Sequence, residues 1–441
     1  MYFKLTGVDI IITVIVLLIV FVYTNNVQQK YIHRYSHFKY LKKGLCARIV
    51  AGMFFSYIYL MYYGGGDTVY YFSGAGSIAK VALKDFPAFI RLFFGEQTPE
   101  LYSLFDWQTG YPTYYRDPNA YSVCRFMVPF YILGFGSYWA TTVIMNAVLF
   151  IPIWKFYTMM CSIYPRITKE LAISILFFPS LVFWSSGILK DVWCLVALLV
   201  LYRHVWLFVV KKRKTIKSIL ILLFWTYILI SIRPFMYYTA FVTILLWLGL
   251  RMVSNIESAV FRTIVFPVLM IFGAVLVIFT ITRLGSLAEG KYATVDSMME
   301  HAVIIQDDLS REAYGENSFD IGEFDASVPS MLSKAPIAIL AGLFRPFIWE
   351  AGSILMIFTG LESLFFIILF LYLIGKSGGF KFFAIVYQDP MLMSFFVFSI
   401  MFAFFVGLTT ANFGALVRYK IALLPFFSIV LFRMKYVLER Q

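Results

Sequence analysis

Residues 183–191 read FWSSGILKD: a Ser-Ser-Gly break, then a lysine and an aspartate, set inside a long apolar tract. One apolar segment, 168–184, leads into the break and another, 186–209, leads out of it. Their far ends are polar. YPRITKE at 164–170 carries Arg166 and Lys169, and KKRKTIK at 211–217 carries five basic groups. Short basic loops belong on the cytoplasmic side of a membrane. Two helices anchored there must turn at the opposite face, so the spacing predicts FWSSGILKD on the outer side.

The composition agrees with a membrane chain. Of 441 residues, 61% are hydrophobic and 14% charged, where soluble proteins are about a quarter charged. The stretches LTGVDIIITVIVLLIVFVY (5–23) and LFFIILFLYLI (364–374) suit a hydrocarbon core. A transmembrane barrel would show short alternating segments instead. The expected fold is an all-α polytopic membrane protein, a single integral membrane domain over 1–441 with about eleven transmembrane helices. Their expected positions are 7–23, 45–63, 138–160, 168–184, 186–209, 217–232, 235–250, 262–281, 352–375, 389–408 and 415–432. This threading puts the N-terminus outside and the C-terminus in the cytoplasm. The first apolar segment is long and lacks a small-residue cleavage site, so no cleavable signal peptide is expected.

A net charge of +13 raises nucleic-acid binding, but the distribution of charge argues against it. Residues 24–48 hold Lys30, Arg34, Lys39, Lys42, Lys43 and Arg48 with no acidic residue, the pattern of a cytoplasmic loop. Cys46, Cys124, Cys161 and Cys194 form no CxxC pair, and the four histidines form no metal-binding cluster. No resident metal is therefore expected from these residues.

Three segments are expected outside the core of the bundle. Residues 64–121 form an outer loop with juxtamembrane helices. Within it, Ile78, Val81, Ala82, Phe86, Phe89, Ile90 and Phe93 make an apolar stripe, and Pro87 divides it into two short helices. The stripe suits either the membrane surface or packing against the bundle. Residues 122–137, interrupted by Pro129, Gly134 and Gly136, read as a re-entrant or tilted element. Residues 282–336 carry ten acidic groups against four basic ones and read as an acidic outer loop, solvated or acting as a lid.

Nearly every charge embedded among apolar neighbours falls at the outer face of this threading. Besides Lys190 and Asp191 these are Asp67, Arg125, Arg233, Arg345, Glu350, Arg418 and Lys420. Ionisable residues within membrane segments are costly and usually face a partner or a cavity. Arginines offer forked donors matched to phosphate oxygens, though as interface anchors they need no ligand. Lys190 and Asp191 can neutralise each other, and Asp67 can cap the helix that follows it. Glu350 reads as a partner for Arg345, and His301 as a weak candidate base.

Cations at the headgroup level of an apolar cleft suit the phosphate or diphosphate of a polyprenyl carrier. Glycosyl transfer from such a donor develops charge on the leaving phosphate, which cations stabilise. A carboxylate then takes or positions the proton of the incoming sugar hydroxyl.

The chain resembles the GT-C membrane glycosyltransferases and their relatives among Wzy-type polysaccharide polymerases and EpsG-like proteins. The resemblance rests on GGGDTVYYFSGA (64–75) after an early helix, on the juxtamembrane element, and on RYKIALLPF (418–426). The last is similar to an RYxxPxxP pattern in lipid-linked aminoarabinose and mannose transferases, of which only Pro425 is present here. The resemblance implies a catalytic role for Asp67. It also implies diphosphate binding by Arg233, Arg345 and Arg418. FWSSGILKD belongs to neither pattern.

The expected function is transfer of a sugar or glycan repeat from a polyprenyl-linked donor to a glycan or lipid-linked acceptor. The expected place is the outer side of a bacterial inner membrane. Asp67 and Asp191 are the catalytic candidates. Arg125, Lys190, Arg233, Arg345, Arg418 and Lys420 are the lipid-phosphate ligands, with Glu350 and His301 in support. No cofactor is expected, although a divalent metal would be compatible if another acidic residue joined Asp67. A transporter or flippase for an anionic lipid-linked substrate and a non-catalytic membrane scaffold are the alternatives. The threading itself is testable in a background without native cysteines. Gln108→Cys should react with an impermeant maleimide on intact cells, and Lys212→Cys only after permeabilisation; the reverse pattern inverts the orientation.

Overall fold

The computed structural model describes residues 6–254, 295–310 and 318–440. Seven helices among them are long and apolar enough to cross a membrane, or eight if the bent pair Phe413–Lys420 and Leu424–Leu438 forms one span. The chain is thus an all-α multi-pass membrane protein; the β pairing among the described residues is an isolated bridge between Ser318 and Asn412. The other expected spans differ for physical reasons. Ile216–Ile232 is apolar, but its 17 residues reach only about 26 Å, short of a hydrocarbon core of about 30 Å. Residues 168–184 are broken by a π-turn at Ile173–Phe177 and by Pro179. The expected helix at 262–281 lies outside the described residues.

The chain divides into two compact units, Met1–Arg233 and Pro234–Gln441. In the first, α1 (Gly7–Ile32) starts at a capping box between Thr6 and Asp9 and is apolar all round. Val8, Ile11, Leu18 and Ile19 are exposed along it, as a lipid-facing helix requires. Helix α2 (Leu41–Tyr57) runs on through a π-turn, Ile58–Tyr62, and ends at Gly64–Gly66. All three of those glycines take positive φ, which lets the chain turn sharply into α3 (Asp67–Lys84). Next come α4 (Phe86–Phe94), α5 (Pro99–Tyr102), α6 (Pro118–Leu133) and α7 (Tyr138–Ile163). The short α8 (Thr168–Ala172) and α9 (Pro179–Trp184) precede α10 (Lys190–Val209) and α11 (Ile216–Ile232).

Helices α2 and α7 run antiparallel: Gly44 lies against Phe150, Gly52 against Asn146, and Ser56 near Thr142. Helix α10 packs on both α7 and α11. Helix α6 is one continuous helix despite Pro129. Asn119 bonds Ser231 near the end of α11, and Phe126 and Phe130 lie on Trp193 in the first turn of α10. Since Leu133 turns at once into α7, both ends of α6 lie near the end of the unit where α7 and α10 begin. The apolar stripe of 77–94 divides at Asp85, which caps α4 through Ala88 N. Ile78 and Val81 are buried, whereas Leu83, Phe86, Ile90 and Phe94 remain exposed.

The second unit contains α12 (Pro234–Ser254), α13 (Val295–Ser310), α14 (Val328–Ser333) and α15 (Ala335–Phe344). After these come α16 (Ile354–Ser377), α17 (Phe380–Gln388), α18 (Pro390–Thr409), α19 (Phe413–Lys420) and α20 (Leu424–Leu438). The segment 282–336, expected as a loop, is therefore partly helical. Its closest helix crossing is between α15 and α18. Ala338 and Gly342 on one face Gly407 and Ala403 on the other, small residues four apart on each helix. A methyl on Gly342 would strike the Ala403 carbonyl, and one on Gly407 the Ala338 carbonyl. Gly342→Ala and Gly407→Ala should each destabilise the protein by about 1–3 kcal/mol, seen as a lower melting midpoint in detergent. Gly375→Ala, where nothing lies within reach of the added carbon, should leave the midpoint unchanged.

Candidate functional site

At the end of the first unit where α7 and α10 begin, four of the charges expected from sequence come together with one that was not singled out. Asp67 opens α3, where the helix dipole favours an anion. The Tyr114 hydroxyl donates to its Oδ1 at 2.6 Å. Three residues on, Asp117 caps α6 by accepting from Asn119 N and Ala120 N, while its other oxygen lies 3.5 Å from Lys190 Nζ. Asp191, the next residue along α10, pairs with Arg233 at 2.8 Å, and both side chains are almost wholly buried. Arg233 is fixed there because Pro234 ends α11 and starts α12.

The backbone of FWSSGILKD does not lie flat at this end. Arg48, buried in α2, donates to Ser185 Oγ at 2.9 Å and to the Ser185 carbonyl. Asn146 of α7 donates to the Ser186 carbonyl at 2.7 Å. Arg48 sits midway along the span Ser36–Tyr62, about 20 Å from either end. The Ser186 carbonyl lies against Gly52 and Asn146, the latter about 12 Å along α7 from its start. The Ser-Ser break therefore dips into the bundle, and only Lys190 and Asp191 rise to meet Asp117 and Arg233. A small cavity beside Arg48 is lined by Gly44, Phe150, Leu176, Leu181 and Ser185.

Arg125 is held elsewhere in the same unit. Its Nε donates to Leu92 O at 3.0 Å and a terminal nitrogen to Gly95 O, so it satisfies carbonyls at the end of α4. Its guanidinium also lies over Tyr121. The loop after α5 is tied to α3 by Lys84 and Asp106, 2.7 Å apart. The Lys84 hydrogen bond first, and then the Thr109 amide, hold the Asp106 carboxyl down at about 2. A depressed carboxyl contributes above its ordinary value of 3.8 and loses that contribution as pH falls through about 2. This tie is therefore constant around neutral pH.

The second unit holds the remaining candidates. Arg345 pairs with Glu350 at 3.1 Å and lies over the rings of Phe319 and Phe347. Glu350 also accepts from Phe347 N, which closes the RPFIWE turn on itself. Lys420 is buried and donates to the Arg345 carbonyl and to Ser363 Oγ, both at 2.9 Å. Glu362, beside Ser363, is within electrostatic reach of Lys420. Arg418 is half-buried on α19, two residues before Lys420. Phe319 bonds Ala411 O and stacks on Phe413, so the end of the acidic segment covers Arg345. His301 is half-buried on α13, which packs on α18.

Three residues here escaped the sequence reading. Asp117 had a signal, since Asp-Pro-Asn is a helix start. Glu362 had a stronger one, a lone carboxylate in the apolar run of α16. Arg48 was hidden by its position at the end of a basic stretch. Among the described residues no group of three or more His, Cys, Asp or Glu is placed to hold a metal ion.

Compared with known proteins the chain has no match: no family model, curated protein or solved structure matches it.

The buried pair allows a direct test. Asp191→Ala or Arg233→Ala alone strands a charge and should cost about 3–5 kcal/mol, read as loss of monodisperse protein on heating. Asp191→Leu with Arg233→Met removes both charges and should recover most of that loss. Equal losses in the single and double variants would show that the pair is not their source.

Proposed function

We propose that this chain is a membrane glycosyltransferase of GT-C-like architecture that uses a polyprenyl-phosphate or polyprenyl-diphosphate donor. It would pass a sugar or glycan repeat to a glycan or lipid-linked acceptor at the outer side of a bacterial inner membrane, and would include polysaccharide polymerases among its relatives. Asp67 is the proposed base, positioned by Tyr114, with Lys190 as a phosphate ligand in the same unit. Arg345 and Arg418 are the proposed phosphate-binding groups of the second unit, and Lys420 positions Arg345 from beneath. The observation that carries the reading is the gathering of Asp67, Asp117, Lys190, Asp191 and Arg233 at one end of a bundle of apolar helices. Scattered interface anchors have no reason to meet, whereas a site for a charged headgroup and its acceptor requires it.

One observation favours a second reading. The element from Thr168 to Val209 is discontinuous, and its unwound part lies inside the bundle with Arg48 and Asn146 bonded to it. Broken helices of that kind line the sites of secondary transporters, so a flippase for an anionic lipid-linked substrate is the alternative.

Purified protein in lipid nanodiscs, supplied with polyprenyl-linked glycan, should give a covalent product detectable by mass spectrometry. Asp67→Asn should lower its turnover by about 10²–10⁴-fold, while Arg345→Gln and Arg418→Gln should raise KM for the donor. Asp67→Asn at the wild-type rate would defeat the assignment of the base. Vectorial movement in vesicles without any product would select the transporter. Loss of transfer in a chelator, restored by Mg²⁺ or Mn²⁺, would add a divalent ion to the proposal.

A further inference from the structure

The opposite end of α7, α10 and α11 carries a second concentration of charge, and it is all of one sign. Lys155 lies 17 residues along α7 from Tyr138, about 26 Å away and so toward the far end of that helix. On the neighbouring helices, joined at their other ends by Asp191 and Arg233, Arg203 lies 13 residues along α10 from Lys190, about 20 Å. Lys217 lies 15 residues back along α11 from Ile232, about 23 Å, so the three cations reach a similar level and act on one another. The connecting turn enforces this crowding. Lys212 takes a positive φ of 52° and Arg213 N bonds back to Leu207 O at 3.0 Å, folding the KKRK run over the last turns of α10. Among the described residues, none of Lys155, Arg203 and Lys217 forms an ion pair with a carboxylate.

Apolar stripes lead into the cluster from the membrane side. On α7, Val148 and Ile151 are exposed and share a helical face with Lys155. On α11, Leu220, Leu223 and Phe224 are exposed above Lys217. A free anion would use only the cations, whereas a lipid would use cations and stripes together. Basic groups just past the end of membrane helices attract anionic lipid, and the guanidinium fork suits phosphate oxygens.

We propose that Lys155, Arg203 and Lys217 bind the phosphate-bearing headgroup of an anionic phospholipid, whose acyl chains lie along Val148 and Ile151 of α7 and Leu220 and Leu223 of α11. The bound phosphate relieves the mutual repulsion of the three cations and ties α7 to α11 across α10. This site is separate from the Asp67 end of the unit and stands whether or not the chain transfers sugar.

Native mass spectrometry of the purified protein with added phosphatidylglycerol or phosphatidylcholine tests it. Wild type should retain phosphatidylglycerol preferentially. Lys155→Gln with Lys217→Gln, both exposed positions that folding does not need, should weaken retention by about fivefold for each charge removed. Lys39→Gln with Lys43→Gln, in the other basic segment, should leave the preference intact. Equal retention of the two lipids by wild type overturns the proposal, as does an unchanged preference in the Lys155/Lys217 variant or a lost one in the Lys39/Lys43 variant. Inorganic phosphate displacing phosphatidylglycerol at equal concentration would make the ligand a free anion and overturn the lipid assignment.

Discussion

A break in a helix inside an apolar bundle leaves carbonyls that lipid cannot satisfy, and the first unit is organised around meeting that need. Each such group left bare costs several kcal/mol. Arg48 takes the Ser185 carbonyl and Asn146 takes that of Ser186. Gly187 completes the junction, because an added side chain would run into the Phe55 ring. With those three contacts made, the start of α10 is fixed. The positions of Lys190 and Asp191 follow from it, and so do their pairings with Asp117 and Arg233.

The way the charges are matched sorts them by what they are able to do. Asp191 and Arg233 are 1% and 8% exposed, and their pair resembles a strut whose separation would strand a charge. Lys190 and Asp117 are 20% and 36% exposed and lie farther apart, so an anionic headgroup can displace the carboxylate at little cost. The same division holds in the second unit. Lys420 is enclosed and holds the turn at Arg345 from beneath, while Arg345 keeps part of its surface open beside Phe319 and Phe347. The ligand-binding groups of the proposed chemistry are then Lys190, Arg345 and Arg418, with Arg233 and Lys420 in positioning roles.

Long, uniformly apolar segments such as Gly7–Ile32 and Pro390–Thr409 were legible in the sequence because composition alone determines them. The triple glycine before Asp67 and the division of 77–94 were legible for a similar reason, since local backbone chemistry decides both, although the break read at Pro87 falls at the Asp85 cap. Segment 168–184 was misread as a plain span because hydrophobicity cannot register a π-turn. Arg48 and Ser185 lie 137 positions apart, a pairing that no local pattern encodes. The candidate charges could be named one by one, but their partners could not. Asp117 and Glu362 show why: each acquires its meaning from a cation on another helix.

The break inside the bundle bears on the choice between chemistry and passage. A transport site at that level needs polar groups that exchange partners as substrate enters. Arg48 is bound to both oxygens of one serine, in a small cavity whose other walls include Phe150, Leu176 and Leu181. Among the described residues its Nε finds no acceptor, while both terminal nitrogens are engaged by Ser185. Asn146 likewise spends its amide nitrogen on the Thr142 and Ser186 carbonyls, while its Oδ1 finds no donor among the described residues. Both residues use their terminal nitrogens to hold backbone. The accessible charges, Lys190 and Asp117, lie instead at the end of the unit where a headgroup can reach them without crossing. A fixed break with open charges above it serves a reaction at the membrane surface better than a path through the membrane.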